Sequence, residues 1–313
     1  MSNIAPVIPA RSDIEWCWFL RRHGRAGDMI ERALHDIGVM DCSGWARWQR
    51  SSLTNTGAPV AVTFSTGDEA LSITTEVADP GSDPKTRFAT ACEAITTLGG
   101  TPPSPAFREV LSAAQGASAL TYGARLGLRH DGHALQITLY AELSTAASDL
   151  STLITQTPVG TQFEGFGPDA QPTMLAYDAQ TQQVTLYCNA QGAADIAQPS
   201  YHTEELQNAG GLATKPAQPV AHCYGHRDVG ADPVLAHQFC LKDISRAGAT
   251  VEMQLRSLKR QILHRYPCLT DHPHKALTDN IFGGHYWLHT AQNGKPIVSI
   301  DVAAPWLGSD PLA

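Results

Sequence analysis

Residues 135–143 alternate strictly between apolar and polar side chains. The apolar positions are Leu135, Ile137, Leu139, Ala141 and Leu143, and the polar positions between them are Gln136, Thr138, Tyr140 and Glu142. A period of two places these two sets on opposite faces of a β-strand. The sequence therefore predicts a strand here with one apolar face and one polar face.

The same pattern recurs along the chain. An Asp131-Gly132 turn joins the strand to an earlier alternating run, which is a strong hairpin signal. Five such hairpins are predicted, with first strands that begin near residues 60, 121, 173, 220 and 284. Two of them carry the phrase Thr-Leu-Tyr, at 138–140 and 185–187. Helical spacing of apolar residues fills the gaps, at 28–38, 83–100, 104–116, 147–157, 201–211 and 249–266.

Five hairpins give ten antiparallel strands, and one open sheet of that size would leave exposed edges. Closure into a barrel removes the edges, and helices outside the barrel cover the apolar faces of its strands. The predicted fold class is therefore α+β, a closed ten-stranded antiparallel β-barrel surrounded by a ring of α-helices. A single domain is expected over residues 1–313, with five hairpin-plus-helix repeats over about 30–303 and short tails. A two-sheet sandwich, whose polar faces would meet bulk water, is the alternative.

Composition narrows the class of protein. The net charge is −8 and the longest basic run is two residues, which argues against nucleic acid as a partner. No apolar run reaches the length of a membrane span, and the N-terminus lacks a secretion signal, so we expect no membrane partner and a cytoplasmic location. Seven scattered cysteines without a CxxC motif favour reduced thiols over structural zinc.

The five-repeat plan with a polar interior resembles the aromatic prenyltransferase barrels of the ABBA family. Segments 52–88, 122–140 and 174–189 are similar to the first three hairpins of its bacterial, dimethylallyltryptophan-synthase-like branch. The resemblance implies a transferase of natural-product metabolism that ionises an allylic diphosphate inside the barrel. An electron-rich aromatic acceptor, such as an indole or a phenol, then attacks the prenyl cation. Part of the family uses Mg²⁺, so the resemblance leaves a Mg²⁺ requirement open, and it implies no other cofactor.

The chain departs from the family pattern at its diphosphate-binding positions. The repeated phrase commonly reads Lys-x-Tyr in the family, whereas here it reads Thr138-Leu139-Tyr140 and Thr185-Leu186-Tyr187. Ser72 or Thr74 stands where members often carry an arginine, and Ala61 or a neighbour replaces a glutamate. Each lost charge-assisted contact is worth about 1.5–3 kcal/mol.

Candidate site residues follow from the polar strand faces and from the resemblance. Substrate binding requires cations for a phosphate and aromatic rings for a cation, which favours Arg125, Tyr140, Tyr187, Tyr224, Lys242, Trp287 and His289. Acid/base catalysis requires carboxylates or histidines, which favours Glu76, Glu142, His222, His237 and His285. No metal site is predicted, because histidines four residues apart on a strand are about 13 Å apart.

Two other functions remain open from the sequence. A barrel of this fold without diphosphate binding would use its histidines and carboxylates for acid/base chemistry, such as a cyclisation, hydrolysis or isomerisation. A third alternative is a non-catalytic binder of a small aromatic ligand. The number of cations that converge in the lumen distinguishes the first function from the other two.

Overall fold

The computed structural model describes residues 20–39, 51–53, 59–66, 68–116, 120–144, 170–190, 221–225, 234–241, 249–265, 286–290 and 296–303. The helices are α1 (Arg25–Asp36), α2 (Pro84–Thr97), α3 (Pro105–Gln115) and α4 (Ala249–Arg265). The strands are β1 (Val60–Ser65), β2 (Asp68–Glu76), β3 (Ala124–His130), β4 (Leu135–Glu142), β5 (Ala170–Asp178), β6 (Val184–Ala190), β7 (Ala221–Gly225), β8 (Val234–Leu241), β9 (Tyr286–Thr290) and β10 (Pro296–Ala303).

Every strand pairs antiparallel with its neighbour in the chain, from β1 to β10. The sheet curls strongly enough that β1 also pairs with β10, through partners such as Val62 and Val302. At this seam the hydroxyls of Ser65 and Ser299 lie 2.7 Å apart and share a hydrogen bond. The strands do not divide into the two sheets of a sandwich.

Cross-strand register sorts the side chains of the seven strands β10 and β1–β6 into two rows. The apolar row is fully or almost fully buried and comprises Val62, Ile73, Leu126, Leu128, Ile137, Leu139, Ala141, Leu175, Tyr177, Val184 and Ile300. Opposed residues on antiparallel strands share a face. The helices cover this row: the Phe107 ring on α3 lies 6.4 Å from the Tyr177 ring, and Ile95 on α2 lies near Ile137 beside Gly100.

The polar row occupies the opposite face of the same strands, away from the helices. Its members are Thr63, Ser65, Ser72, Thr74, Glu76, Arg125, Gly127, Arg129, Gln136, Thr138, Tyr140, Glu142, Met174, Ala176, Asp178, Thr185, Tyr187 and Ser299. In a sheet that curls with helices outside, this row lines the concave side. The prediction of an antiparallel barrel wall, apolar outside and polar inside, is therefore confirmed for these seven strands.

Local sequence explains where the helices begin. The carboxylate of Asp83 accepts from the backbone N–H of Thr86, and Pro84 stands in the first turn of α2. Ser104 caps α3 in the same way, before Pro105. Both are standard capping residues, and proline is tolerated where helical N–H groups lack partners. These caps place α2 and α3 at the predicted positions.

Some predicted boundaries change. Helix α1 begins at Arg25, three residues before the first residue of its predicted range, and ends at Asp36. Strand β8 is described up to Leu241, and Lys242, which was predicted to end it, lies outside the described residues. The helices predicted at 147–157 and 201–211 lie outside the described residues. In the described part of the chain, no helix is both long and apolar enough to cross a membrane.

The row assignment predicts unequal effects of substitution at adjacent residues. Leu139 is completely buried against the helical layer, so Leu139→Ala is expected to lower the free energy of unfolding by about 2–5 kcal/mol. Thr138→Ala, on the polar row, is the matched control and is expected to lower it by less than about 1 kcal/mol. Urea unfolding measures both. Equal losses for the two variants would contradict the assignment.

Candidate active site

Glu76 and Arg125 form the centre of the site. They are direct partners in the register of β2 and β3, both on the polar row. The Nε of Arg125 donates to Oε1 of Glu76 at 3.1 Å, and its Nη2 lies 3.1 Å from the same oxygen. The Glu76 side chain is completely buried, whereas 12% of the Arg125 side chain is exposed. Arg125 is thus the member of the pair that reaches the lumen surface.

A second guanidinium reaches Glu76 from the helical layer. Nη1 of Arg87, on α2, lies 3.5 Å from Oε2 of Glu76, and its Nη2 donates to the carbonyl of Thr121 at 3.4 Å. Only 2% of the Arg87 side chain is exposed. Burial lowers the pKa of this guanidinium, and the charge of Glu76 opposes that shift. Arginine stays protonated under such shifts, so Glu76 bridges two cations.

The segment 51–53 closes the remaining side of the carboxylate. The hydroxyl of Ser51 donates to Oε1 of Glu76, and Ser52 Oγ accepts from Nη2 of Arg125 at 2.8 Å. Ser51 is itself buried. Protein groups therefore surround Glu76, and a ligand has no direct access to its oxygens.

The second carboxylate, Glu142, is also fully engaged. Its two oxygens accept from the consecutive backbone N–H groups of Thr121, Tyr122 and Gly123, at 2.6–2.9 Å. These bonds fix the start of β3, two residues before Arg125. Glu142 thus anchors the connection from α3 into the barrel wall.

The ring of Tyr122 packs against the guanidinium of Arg125. The carbon at the centre of the Arg125 guanidinium lies 4.1 Å from the centroid of the Tyr122 ring, within range of a cation–π interaction. Burial, followed by the charge of Glu142, raises the pKa of the Tyr122 hydroxyl well above its ordinary value. The hydroxyl therefore stays protonated at neutral pH.

These contacts leave one edge of Arg125 available. Its Nε and Nη2 are used by Glu76 and Ser52, whereas its Nη1 makes no hydrogen bond within the described part of the chain. Arginine carries five N–H donors in a planar fork. The site therefore presents a guanidinium edge at the lumen surface, and Glu76, Ser52 and the Tyr122 ring hold it in place.

Both tyrosines of the repeated phrase belong to the polar row. Tyr140 opposes Arg125 across β3 and β4, and Tyr187 opposes Met174 across β5 and β6. Both side chains are half-buried. The two Thr-Leu-Tyr phrases therefore place equivalent side chains on the same concave face, with the leucine between them on the other face.

Backbone register places three of the predicted positions in line with the apolar row. Tyr224 opposes Leu186, which in turn opposes Leu175 of that row. His222 lies two residues before Tyr224 and opposes His237 on β8. The register thus continues the row of Leu175 through these positions.

Two other predicted positions continue the polar row. Trp287 opposes Ser299 across β9 and β10, and His289, two residues further on, opposes Ile297. His289 also opposes Gln238 on β8. Lys242 and His285 lie outside the described residues.

Sequence reasoning missed four members of the site: Arg87, Ser51, Ser52 and Tyr122. Arg87 has one usable signal, since it occupies the same helical face as the buried Phe88, Ala91 and Ile95. A buried arginine needs a partner.

No group of three metal-ligating side chains occurs in the part of the chain that the structure describes. Burial also raises the pKa of the Cys92 thiol to about 11, which keeps it protonated at neutral pH.

Glu76→Gln tests the ion bridge. The amide keeps the size of the side chain but removes the charge that both guanidinium groups contact directly, and one of those groups is almost fully buried. We expect a loss of about 3–5 kcal/mol in the free energy of unfolding. Glu109→Gln, on the exposed face of α3, is the control and is expected to stay within about 0.5 kcal/mol of the parent. A Glu76→Gln variant as stable as the control would rule out the bridge.

The raised pKa of Tyr122 predicts alkaline sensitivity. Above about pH 10 the unfolded chain releases a tyrosine proton that the folded chain retains, so the free energy of unfolding falls as pH rises. Tyr122→Phe removes this contribution, and the slope is expected to decrease by up to about 1.4 kcal/mol per pH unit. Urea unfolding between about pH 8 and 11 measures it. Tyr177, whose pKa burial also raises, continues to contribute in this variant. An unchanged slope would contradict the burial of the hydroxyl.

Known proteins match this chain through structure. No protein-family model matches the sequence, and no curated protein matches it. The 5-dimethylallyl tryptophan synthase of Streptomyces coelicolor, in complex with DMASPP and Trp, superposes with a TM-score of 0.70 over 98% of this chain and 97% of that one, at 14% identity. Prenyltransferase PriB, in a ternary complex with L-tryptophan and dimethylallyl thiolodiphosphate, gives 0.69 over 95% and 97%, also at 14% identity.

A third similar structure is AnaPT from Neosartorya fischeri, with a TM-score of 0.60 over 95% of both chains and 11% identity. At such identities the similarity concerns the fold. It extends over almost the whole length of each protein, and it agrees with the inward polar row and the outer helical layer. The chain therefore has the fold of the ABBA aromatic prenyltransferases.

Proposed function

We propose that this protein transfers an allylic prenyl group from its diphosphate to an electron-rich aromatic acceptor inside the barrel. The observation that carries the proposal is the concave polar row, where a guanidinium edge and two tyrosines line a barrel of the prenyltransferase fold. The similar structures of the tryptophan synthase and of PriB hold an aromatic amino acid together with an allylic diphosphate analogue. Both ligand classes suit a lumen of this composition.

The proposed reaction chamber is the closed ten-stranded barrel, formed by one domain. A prenyl cation reacts with water unless the site excludes it. The buried apolar row and the helices outside it exclude water from the wall, and the tyrosine rings face the cation with electron-rich surfaces. Trp287 and His289, in line with the polar row, complete this lining in the proposal.

Arg125 is the proposed anion-binding group. Its free edge offers donors in a fork that matches a phosphate. Glu76 and Glu142 are proposed as positioning residues, because each carboxylate is engaged by groups that hold Arg125 or the start of β3. Thr138 and Thr185 replace charged donors with hydroxyls, so we expect weaker donor binding than a lysine-bearing site would give.

Calorimetric titration with dimethylallyl and geranyl thiolodiphosphates, with and without Mg²⁺, tests the proposal. We expect saturable binding that Arg125→Lys weakens by about 10- to 100-fold, because lysine keeps the charge but loses the fork. Arg32→Lys, on the exposed face of α1, is the control and should bind as the parent does. Thermal unfolding confirms that each variant is folded.

Two results would count against the proposal. If neither analogue binds at millimolar concentration, prenyl transfer from these donors is excluded, and acid/base chemistry in the same barrel becomes the better hypothesis. If both analogues bind and Arg125→Lys binds them equally well, a different group holds the diphosphate. A search for acceptors among indoles and phenols follows only from binding that depends on Arg125.

A further inference from the structure

One position of the polar row has no side chain. Gly127 lies on β3 between Arg125 and Arg129, and it opposes Thr74 on β2 and Thr138 on β4. It is nevertheless buried. A residue on the concave face is buried only where something covers it, and here the cover comes from a side chain of the next strand.

The ring of Tyr140 provides the cover. A Cβ atom built on Gly127 would lie 2.8 Å from Cε2 of Tyr140, 3.3 Å from its hydroxyl oxygen and 3.4 Å from Cζ. Tyr140 is the register partner of Arg125, so its ring leans along the wall toward the diagonal neighbour. The ring rests in the gap that the missing side chain leaves.

We propose that Gly127 is a specificity-determining residue: it seats the ring of Tyr140 against the barrel wall and so sets the width of the lumen available to the prenyl chain. The proposal rests on the proposed function. The flanking side chains keep the seat narrow, because Thr74 and Thr138 are β-branched and have restricted χ1 rotamers. Any side chain at 127 displaces the ring toward the barrel axis, where the donor chain would lie.

The backbone allows a clean test. Gly127 does not have a positive φ, so alanine fits its backbone conformation. The contact below 3.0 Å involves the far end of a side chain, which can rotate away. Gly127→Ala should therefore fold and move the ring, rather than disrupt the sheet.

We expect Gly127→Ala to discriminate between donors. The longer geranyl thiolodiphosphate should lose affinity by about tenfold more than the dimethylallyl analogue, since the displaced ring narrows the lumen. Tyr140→Leu removes the ring, and adding Gly127→Ala to that variant should change the ratio of the two affinities less than about twofold. Calorimetry on the four proteins completes this double-mutant cycle.

A second readout is independent of the proposed function. The chain has eight tyrosines, and Tyr140→Phe assigns the Tyr140 signal in a spectrum of ring-labelled protein. Gly127→Ala should shift that signal and leave Tyr177, which packs on the helical layer, unchanged. If the parent binds neither analogue but the Tyr140 signal shifts, the packing of the Tyr140 ring on Gly127 is supported and the proposed prenyl transfer is not. The inference would be falsified by an unchanged Tyr140 signal. It would also be falsified if Gly127→Ala lowered the affinities for both analogues equally, in the parent and in Tyr140→Leu alike.

Discussion

The carboxylate of Glu76 between Arg87 and Arg125 is the interaction on which the site depends. It links the inner face of the sheet to a helix outside it, so it fixes the α2 helix, the rim of the barrel and the lumen surface relative to one another. Removal of a charged group from water costs several kcal/mol per ion unless partners compensate. Ser51, Ser52 and the Tyr122 ring supply that compensation, and among the described groups of this cluster one edge of the Arg125 guanidinium stays exposed to the lumen.

The same arrangement determines what the charge of Arg125 can do. The cluster contains two guanidinium groups, which contact Glu76, and a second carboxylate, Glu142, which accepts from backbone N–H groups nearby, so the formal local charge is balanced. An anion at the lumen surface then gains directed hydrogen bonds more than long-range attraction. Such a site favours ligands whose oxygens match the geometry of the guanidinium fork over ligands that only carry negative charge.

The sequence predicted the strands and the assignment of rows around β3 and β4. It also predicted the inward positions of Arg125 and Tyr140, because strict alternation over eight residues fits one orientation of the strand faces. It did not predict the histidine rows. His222 and Tyr224 are amphipathic and alternate with the small residues Ala221 and Cys223, so the pattern of β7 does not indicate which set faces the helices. Arg87 and Ser51 were missed because both lie outside the strand pattern: Arg87 belongs to helix α2, and Ser51 precedes β1.

The pairing of β1 with β10 has a consequence for biosynthesis. Residues 60–65 emerge from the ribosome first among the strands and their partner strand, 296–303, emerges last. Until then one side of β1 is an unpaired edge, which can bind strands of other chains. Pairing between strands so far apart in the chain forms slowly in folding, so the edge of β1 stays available to other strands throughout synthesis unless another part of the chain covers it.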